Sequence, residues 1–129
     1  MSETAILCVD DELSVLQALK EQLKRLFGNR YVYEMAQNAD EAWDVIDELE
    51  EDGVTILIIV SDWLMPGVKG DEFLAQVHNR FPQITTVMLT GQADEEAIER
   101  AKQQANLYAC IQKPWTEEDL LSVVGGALT

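Results

Sequence analysis

The sequence predicts an α/β fold: a doubly wound domain in which five strands alternate with five helices around a parallel sheet. Two observations predict it. Short apolar runs recur along all 129 residues with helically spaced stretches between them, and no repeat, low-complexity segment or Pro/Gly linker interrupts the alternation. The runs also end on polar chemistry. Ala5-Ile6-Leu7-Cys8-Val9 leads into Asp10 and Asp11, Ile56 to Ser61 into Asp62, Ile84 to Leu89 into Thr90, and Leu107 to Ile111 into Gln112 and Lys113. A run that is apolar throughout and polar only at its end fits a buried parallel strand delivering its last residues to the carboxyl edge of the sheet. Open α/β sheets bind their ligands at that edge.

The elements follow in order. After the first strand, Ala5 to Val9, a helix is expected from about Leu13 to Phe27, with Leu16, Leu19, Leu23 and Leu26 at core spacing and Gly28 as its stop. Tyr31 to Ala36 is the second strand. Asn38 or Asp40 opens the second helix, which buries Ala42, Trp43, Ile46 and Leu49, and Gly53 breaks the chain before the third strand. The third helix starts near Gly70 and ends by Phe81, because Pro82 disfavours helical geometry in the residue before it. The fourth helix spans about Asp94 to Gln104. Thr116-Glu117-Glu118-Asp119 has the form of a capping box, and the last helix should cover the sheet with Leu120, Leu121, Val123, Val124 and Leu128. Gly125-Gly126 either begins a linker or loosens the end of that helix.

Composition bounds the function. A chain that is 47% hydrophobic and 26% charged fits one domain over residues 1–129, with a real core and no room for a second domain. Nine Lys and Arg against 24 Asp and Glu give a net charge of −15, which opposes direct binding to a nucleic-acid backbone. No apolar run approaches signal or membrane length, so a cytoplasmic protein without membrane attachment is expected. The acidic stretch from Asp47 to Asp52 reads as a solvated helix end. His78, the only histidine, has no second metal ligand beside it.

The strand ends pose a chemical question. Three carboxylates at one edge raise each other's pKa and destabilise the fold, so a cation belongs among them. An all-oxygen site of carboxylates and waters suits Mg²⁺, a hard ion that often pairs with phosphate. Lys113 could contact one phosphoryl oxygen and Thr90 another.

At this point the residues resemble the receiver domain of two-component response regulators, a CheY-like module that takes a phosphoryl group from a histidine kinase. The resemblance covers nearly the whole chain. It rests on Val9-Asp10-Asp11-Glu12, on Ser61-Asp62-Trp63-Leu64-Met65-Pro66-Gly67 with Gly70 following, on Thr90-Gly91 and on Lys113-Pro114, each after its own apolar run. It implies strand order 2-1-3-4-5 and a signalling module, not an enzyme. Asp62 would be the phospho-acceptor. Asp11 would hold Mg²⁺ directly and Asp10 largely through water, with Asp62 and the backbone carbonyl of Leu64 as further ligands. Lys113 would bind the phosphoryl group, Thr90 would swing toward it, and Lys113-Pro114 would be a cis peptide. The face around the fourth helix, fifth strand and fifth helix would then change, signalling to an output domain or protein. A homodimer could form through that same face. The phosphoryl donor would be a sensor histidine kinase or a histidine phosphotransfer protein.

With that strand order, two strands separate Cys8 from Cys110, roughly 14 Å at about 4.8 Å per strand, too far for a disulfide. Both cysteines read as small buried hydrophobes.

The chain departs from the family pattern in places. Cys110 stands three residues before Lys113, where most receivers carry Tyr or Phe as an aromatic switch. Tyr108 is two residues earlier and shares its face by strand alternation, so it either substitutes or simply packs there. Lys69 replaces a common acid before Gly70. Trp115 resembles receivers joined to HD-type phosphodiesterases or adenylate cyclases. Two alternatives stand beside the receiver. One is a Mg²⁺-dependent phosphohydrolase of the haloacid dehalogenase type, which needs a second acid two residues after its aspartyl nucleophile. The other is a receiver-like scaffold that is never phosphorylated.

Overall fold

The computed structural model describes residues 3–91 and 95–128. Five parallel strands pair in the order β2-β1-β3-β4-β5. They are β1 (Thr4–Val9), β2 (Val32–Ala36), β3 (Thr55–Asp62), β4 (Thr85–Thr90) and β5 (Ala109–Gln112). The helices are α1 (Leu13–Phe27), α2 (Ala39–Glu51), α3 (Gly70–Arg80), α4 (Glu95–Gln104) and α5 (Glu117–Leu128). This is the expected doubly wound α/β architecture in the expected strand order. The expected start of α4 at Asp94 lies outside the described residues.

Strand alternation splits the core in two. From β1, Ala5, Leu7 and Val9 join Ala42 and Ile46 of α2, Phe73 and Leu74 of α3 and Ala101 of α4. Ile6 and Cys8 join Leu16, Leu19 and Leu23 of α1 with Leu120 and Val124 of α5. Each fully buried leucine contributes about 2 kcal/mol of apolar transfer. β3 alternates differently. Ile56 belongs to the first cluster and Ile58 to the second, although two residues apart, because the β1–β3 register shifts between Ala5 and Ile6. Beyond that shift the pairing is regular up to Val9 with Ser61, which sets Asp10 beside Asp62.

Several ends are settled by local chemistry. Gly28 closes α1 at φ 70°, a left-handed conformation that favours glycine. Of the two candidates for opening α2, Asn38 is the cap: its side chain accepts the Glu41 amide at 2.8 Å. The box at α5 is reciprocal, since Thr116 Oγ1 accepts the Asp119 amide and Asp119 Oδ2 accepts the Thr116 amide, both at 3.1 Å. α3 ends at Arg80, as Pro82 requires.

Several expectations need correction. Leu121 does not cover the sheet. It is 46% exposed, because the buried stripe of α5 follows Leu120 and Val124. β5 starts at Ala109, not Leu107, since Asn106 turns the chain at φ 49° and Leu107 donates its amide to Ala101 at the end of α4. Tyr108 therefore precedes the strand and does not share the face of Cys110: its hydroxyl lies beside Gly126 of α5, whereas Cys110 packs into the opposite cluster. Gly125 and Gly126 lie inside α5, which runs to Leu128. Trp43, expected to be buried by α2, is only half-buried, edge-on to Phe73 with its ring centroid 5.7 Å away.

Candidate functional site

Asp10 follows β1 and is fully buried. Two contacts hold it there. Its backbone N–H donates to the Ala36 carbonyl of β2 at 3.0 Å, and its Oδ1 accepts the Glu12 amide at 2.8 Å. Asp62 ends β3 at 5% exposure, and Asp11 is exposed at the rim. One oxygen from each of the three carboxylates lies within 4.8 Å of the other two. Burying two acids beside a third is unfavourable unless a cation compensates.

Lys113 provides the compensation. Its Nζ sits 2.9 Å from Asp10 Oδ2 and 3.0 Å from Asp62 Oδ1. The lysine is aimed by its own backbone, because its N–H donates to the Thr90 carbonyl at 2.8 Å just past the β4–β5 pairing. Thr90 is buried at the end of β4, with Gly91 after it at the cleft. The Lys113–Pro114 peptide is cis. Asp11, Glu12, Asp62, Trp63, Leu64, Gly91 and Lys113 line an open cleft of about 550 Å³.

The electrostatics are uneven. Burial raises the pKa of Asp62; the Lys113 hydrogen bond opposes this, and the charges of Asp10 and Asp11 reinforce it. Burial alone would lower Lys113, but its hydrogen bonds and charge interactions with Asp10 and Asp62 outweigh that and raise it. The two directions are consistent. One ammonium shared between Asp10 and Asp62 is held firmly charged, while Asp62, with Asp11 also near it, stays under-compensated. Such a cleft of hard oxygen donors fits a divalent cation, and its lysine fits an anionic oxygen.

The loop after Asp62 is fixed by α3. A Cβ on Gly70 would collide with the Asp62 carbonyl oxygen and lie 2.8 Å from the Trp63 Cα. Only glycine permits that approach. Gly70 N–H donates to the Trp63 carbonyl at 2.7 Å, and Trp63 N–H donates to the Leu89 carbonyl at 3.0 Å.

Asp10, Asp11, Asp62, Leu64, Thr90 and Lys113 thus meet at the one edge that the strand ends indicated. Sequence reasoning missed Asp71, a buried acid in the first turn of α3 that accepts the Trp63 indole N–H at 3.1 Å. An acid at a helix start is so ordinary that nothing marked it.

This geometry has counterparts. A family model described as the response regulator receiver domain matches residues 6–125. The chain belongs to that family. As a receiver domain it is part of a two-component signalling module, and phosphoryl acceptance is the family's general function. It is 32% identical over 126 residues to the hydrogenase transcriptional regulatory protein HoxA of Cupriavidus necator, covering 98% of this chain. The receiver spans only 24% of that protein's length. It is also 30% identical over 118 residues to a chemotaxis protein CheY homolog of Campylobacter jejuni, covering 89% of this chain and 85% of that one. Among solved structures, the signal receiver domain of an HD domain-containing protein from Pseudomonas fluorescens Pf-5 superposes with a TM-score of 0.86 at 27% identity, covering 98% of this chain and 94% of that one. A CheY-like receiver domain from Methanospirillum hungatei gives 0.83 at 28% identity, with the same coverages. Among the described residues, no helix is long and apolar enough to cross a membrane.

Proposed function

We propose that this receiver domain, residues 1–129, accepts a phosphoryl group on Asp62 from a histidine kinase or histidine phosphotransfer protein. The observation that carries this is the Lys113 ammonium, 2.9 Å from Asp10 and 3.0 Å from Asp62 at an open cleft. An oxygen of Asp62 attacks phosphorus, the P–N bond to the donor imidazole breaks, and its electron pair leaves with the histidine nitrogen. Lys113 already carries the charge that meets the incoming phosphoryl oxygens, and Thr90 at the end of β4 supplies a hydroxyl on their other side. Asp10, Asp11 and Asp62, with the Leu64 backbone carbonyl, would hold Mg²⁺. When bound, the ion offsets charge on the transferring group.

The signal leaves by the α4-β5-α5 face, to an output domain or a separate protein, and a homodimer through the same face is one form it could take. Cys110 occupies the switch position on β5. Tyr108, half exposed against α5, belongs to the face that partners meet. The cytoplasm is the compartment that fits such a partner kinase. The phosphohydrolase alternative lacks its second acid, since Leu64 stands two residues after Asp62.

Acetyl phosphate with Mg²⁺, followed by intact mass, tests the assignment. Wild type should gain one phosphoryl group and Asp62→Asn none. Equal labelling of the two would put the acceptor elsewhere, and no labelling of wild type would favour the scaffold alternative.

A further inference from the structure

Asp71 lies outside the cleft yet touches two elements that meet near it. It is 5% exposed in the first turn of α3. Its Oδ1 accepts the Trp63 indole N–H at 3.1 Å, and its Oδ2 faces Arg100 Nε of α4 at 3.4 Å. Trp63 follows Asp62 directly and lines the cleft. The backbone of Trp63 is fixed by hydrogen bonds at both its N–H and its carbonyl, and the Lys69 ammonium lies 5.5 Å from the indole's ring centroid. A carboxylate this buried persists only with charged or hydrogen-bonding partners. Asp71 draws one from the acceptor loop and one from α4.

We infer that Asp71 is a positioning residue that holds the Trp63 indole against the cleft and ties it to Arg100, so that a change at Asp62 reaches α4 through Trp63, Asp71 and Arg100. This rests on Asp62 being the acceptor. The path is mechanically direct. Gly70, adjacent to Asp71, is pressed against the Asp62 carbonyl, so the start of α3 cannot slide independently of the acceptor. A phosphoryl group at Asp62 changes the charge and crowding beside Trp63; a shifted indole pulls on one oxygen of Asp71 and so alters the geometry of the other toward Arg100. Coupling of this kind is reciprocal, so the position of α4 also biases the acceptor loop. The route passes through neither Thr90 nor the residue at position 110.

The test uses the ¹⁵N-labelled chain treated with acetyl phosphate and Mg²⁺, with intact mass read in parallel. The Trp63 indole resonance is identified by its loss in Trp63→Phe. The Arg100 side chain is half exposed, so Arg100→Gln should fold and label within twofold of wild type. Its amide shift changes over residues 96–104 on phosphorylation should fall at least threefold. Asp71→Asn keeps an acceptor for the indole but loses the ion pair, and should behave like Arg100→Gln. Asp71→Ala should in addition move the Trp63 indole resonance and speed its hydrogen exchange. A full α4 response in labelled Arg100→Gln overturns the coupling, and an unchanged indole resonance in Asp71→Ala overturns the hold on Trp63. If wild type gains no phosphoryl mass, the acceptor assignment fails and the relay with it, whereas labelling without an α4 deficit sinks the relay alone.

Discussion

Lys113 is a single ammonium facing two buried carboxylates and a third at the rim, and this imbalance has consequences that can be measured without a partner. Removing the Asp62 charge should relieve strain, so Asp62→Asn should be more stable than wild type in metal-free buffer by on the order of 1 kcal/mol. The pH dependence follows from the direction of the shift. With its folded pKa raised above the ordinary 3.8, the folded state keeps the Asp62 proton to higher pH than the unfolded chain does. The stability linked to that proton is complete below about 3.8 and is lost as pH rises through the raised value. Urea unfolding should therefore show the two proteins close together near pH 4, with Asn pulling ahead toward pH 7. A gap that stays flat across this range would remove Asp62 as its source. Lys113→Ala should act in the opposite direction, lowering stability by about 2 kcal/mol or more, because fully buried Asp10 loses its ammonium partner. These residues were legible because each ends an apolar run. Asp71 was not: its partners lie eight residues back and on another helix, and only packing reveals that.

Among the elements, the start of α3 is the one whose placement the loop after Asp62 depends on most. Gly70→Ala would drive a methyl group into the Asp62 carbonyl, a backbone atom that cannot rotate away. The expected cost is about 1 to 3 kcal/mol in urea unfolding, together with weaker Mg²⁺ binding read by tryptophan emission. Gly91→Ala is the comparison, since a Cβ there meets nothing and should change stability by less than about 0.5 kcal/mol. Equal effects from the two would mean that close approach is not what Gly70 provides. Element ends marked by chemistry were readable in the sequence: the Gly28 stop, Pro82 and the Thr116 box, and the α2 cap to within the pair Asn38 and Asp40. What escaped was geometry that depends on neighbours. Leu121 belongs to an apolar cluster, yet the helix can turn only one stripe inward; Tyr108 looked like strand until the turn at Asn106 placed it outside. The register shift in β1–β3 left no trace in either strand's composition.

At the scale of the whole molecule, strand order followed from the family resemblance, while the two-sided core followed from apolar runs that only a doubly covered sheet can bury. Net charge adds a property that no single residue shows. At −15 the folded chain repels itself, so sodium chloride should raise its melting temperature by screening, over a Debye length that shrinks to about 10 Å at 0.1 M. Mg²⁺ should do more than screen. If Asp10, Asp11 and Asp62 hold it, the ion binds the folded state alone and stabilises it by mass action, by about 2.7 kcal/mol at a concentration 100 times its Kd. The two effects separate at matched ionic strength, where wild type should melt higher in MgCl₂ than in NaCl. Asp11→Asn should lose most of that excess while keeping the sodium response, because the rim acid it alters is one of the ligands and only one charge among many in the overall field. Thermal melts of both proteins in both salts decide the matter: an excess for Mg²⁺ that survives intact in Asp11→Asn would mean that the ion acts on the acidic surface at large and not at the cleft.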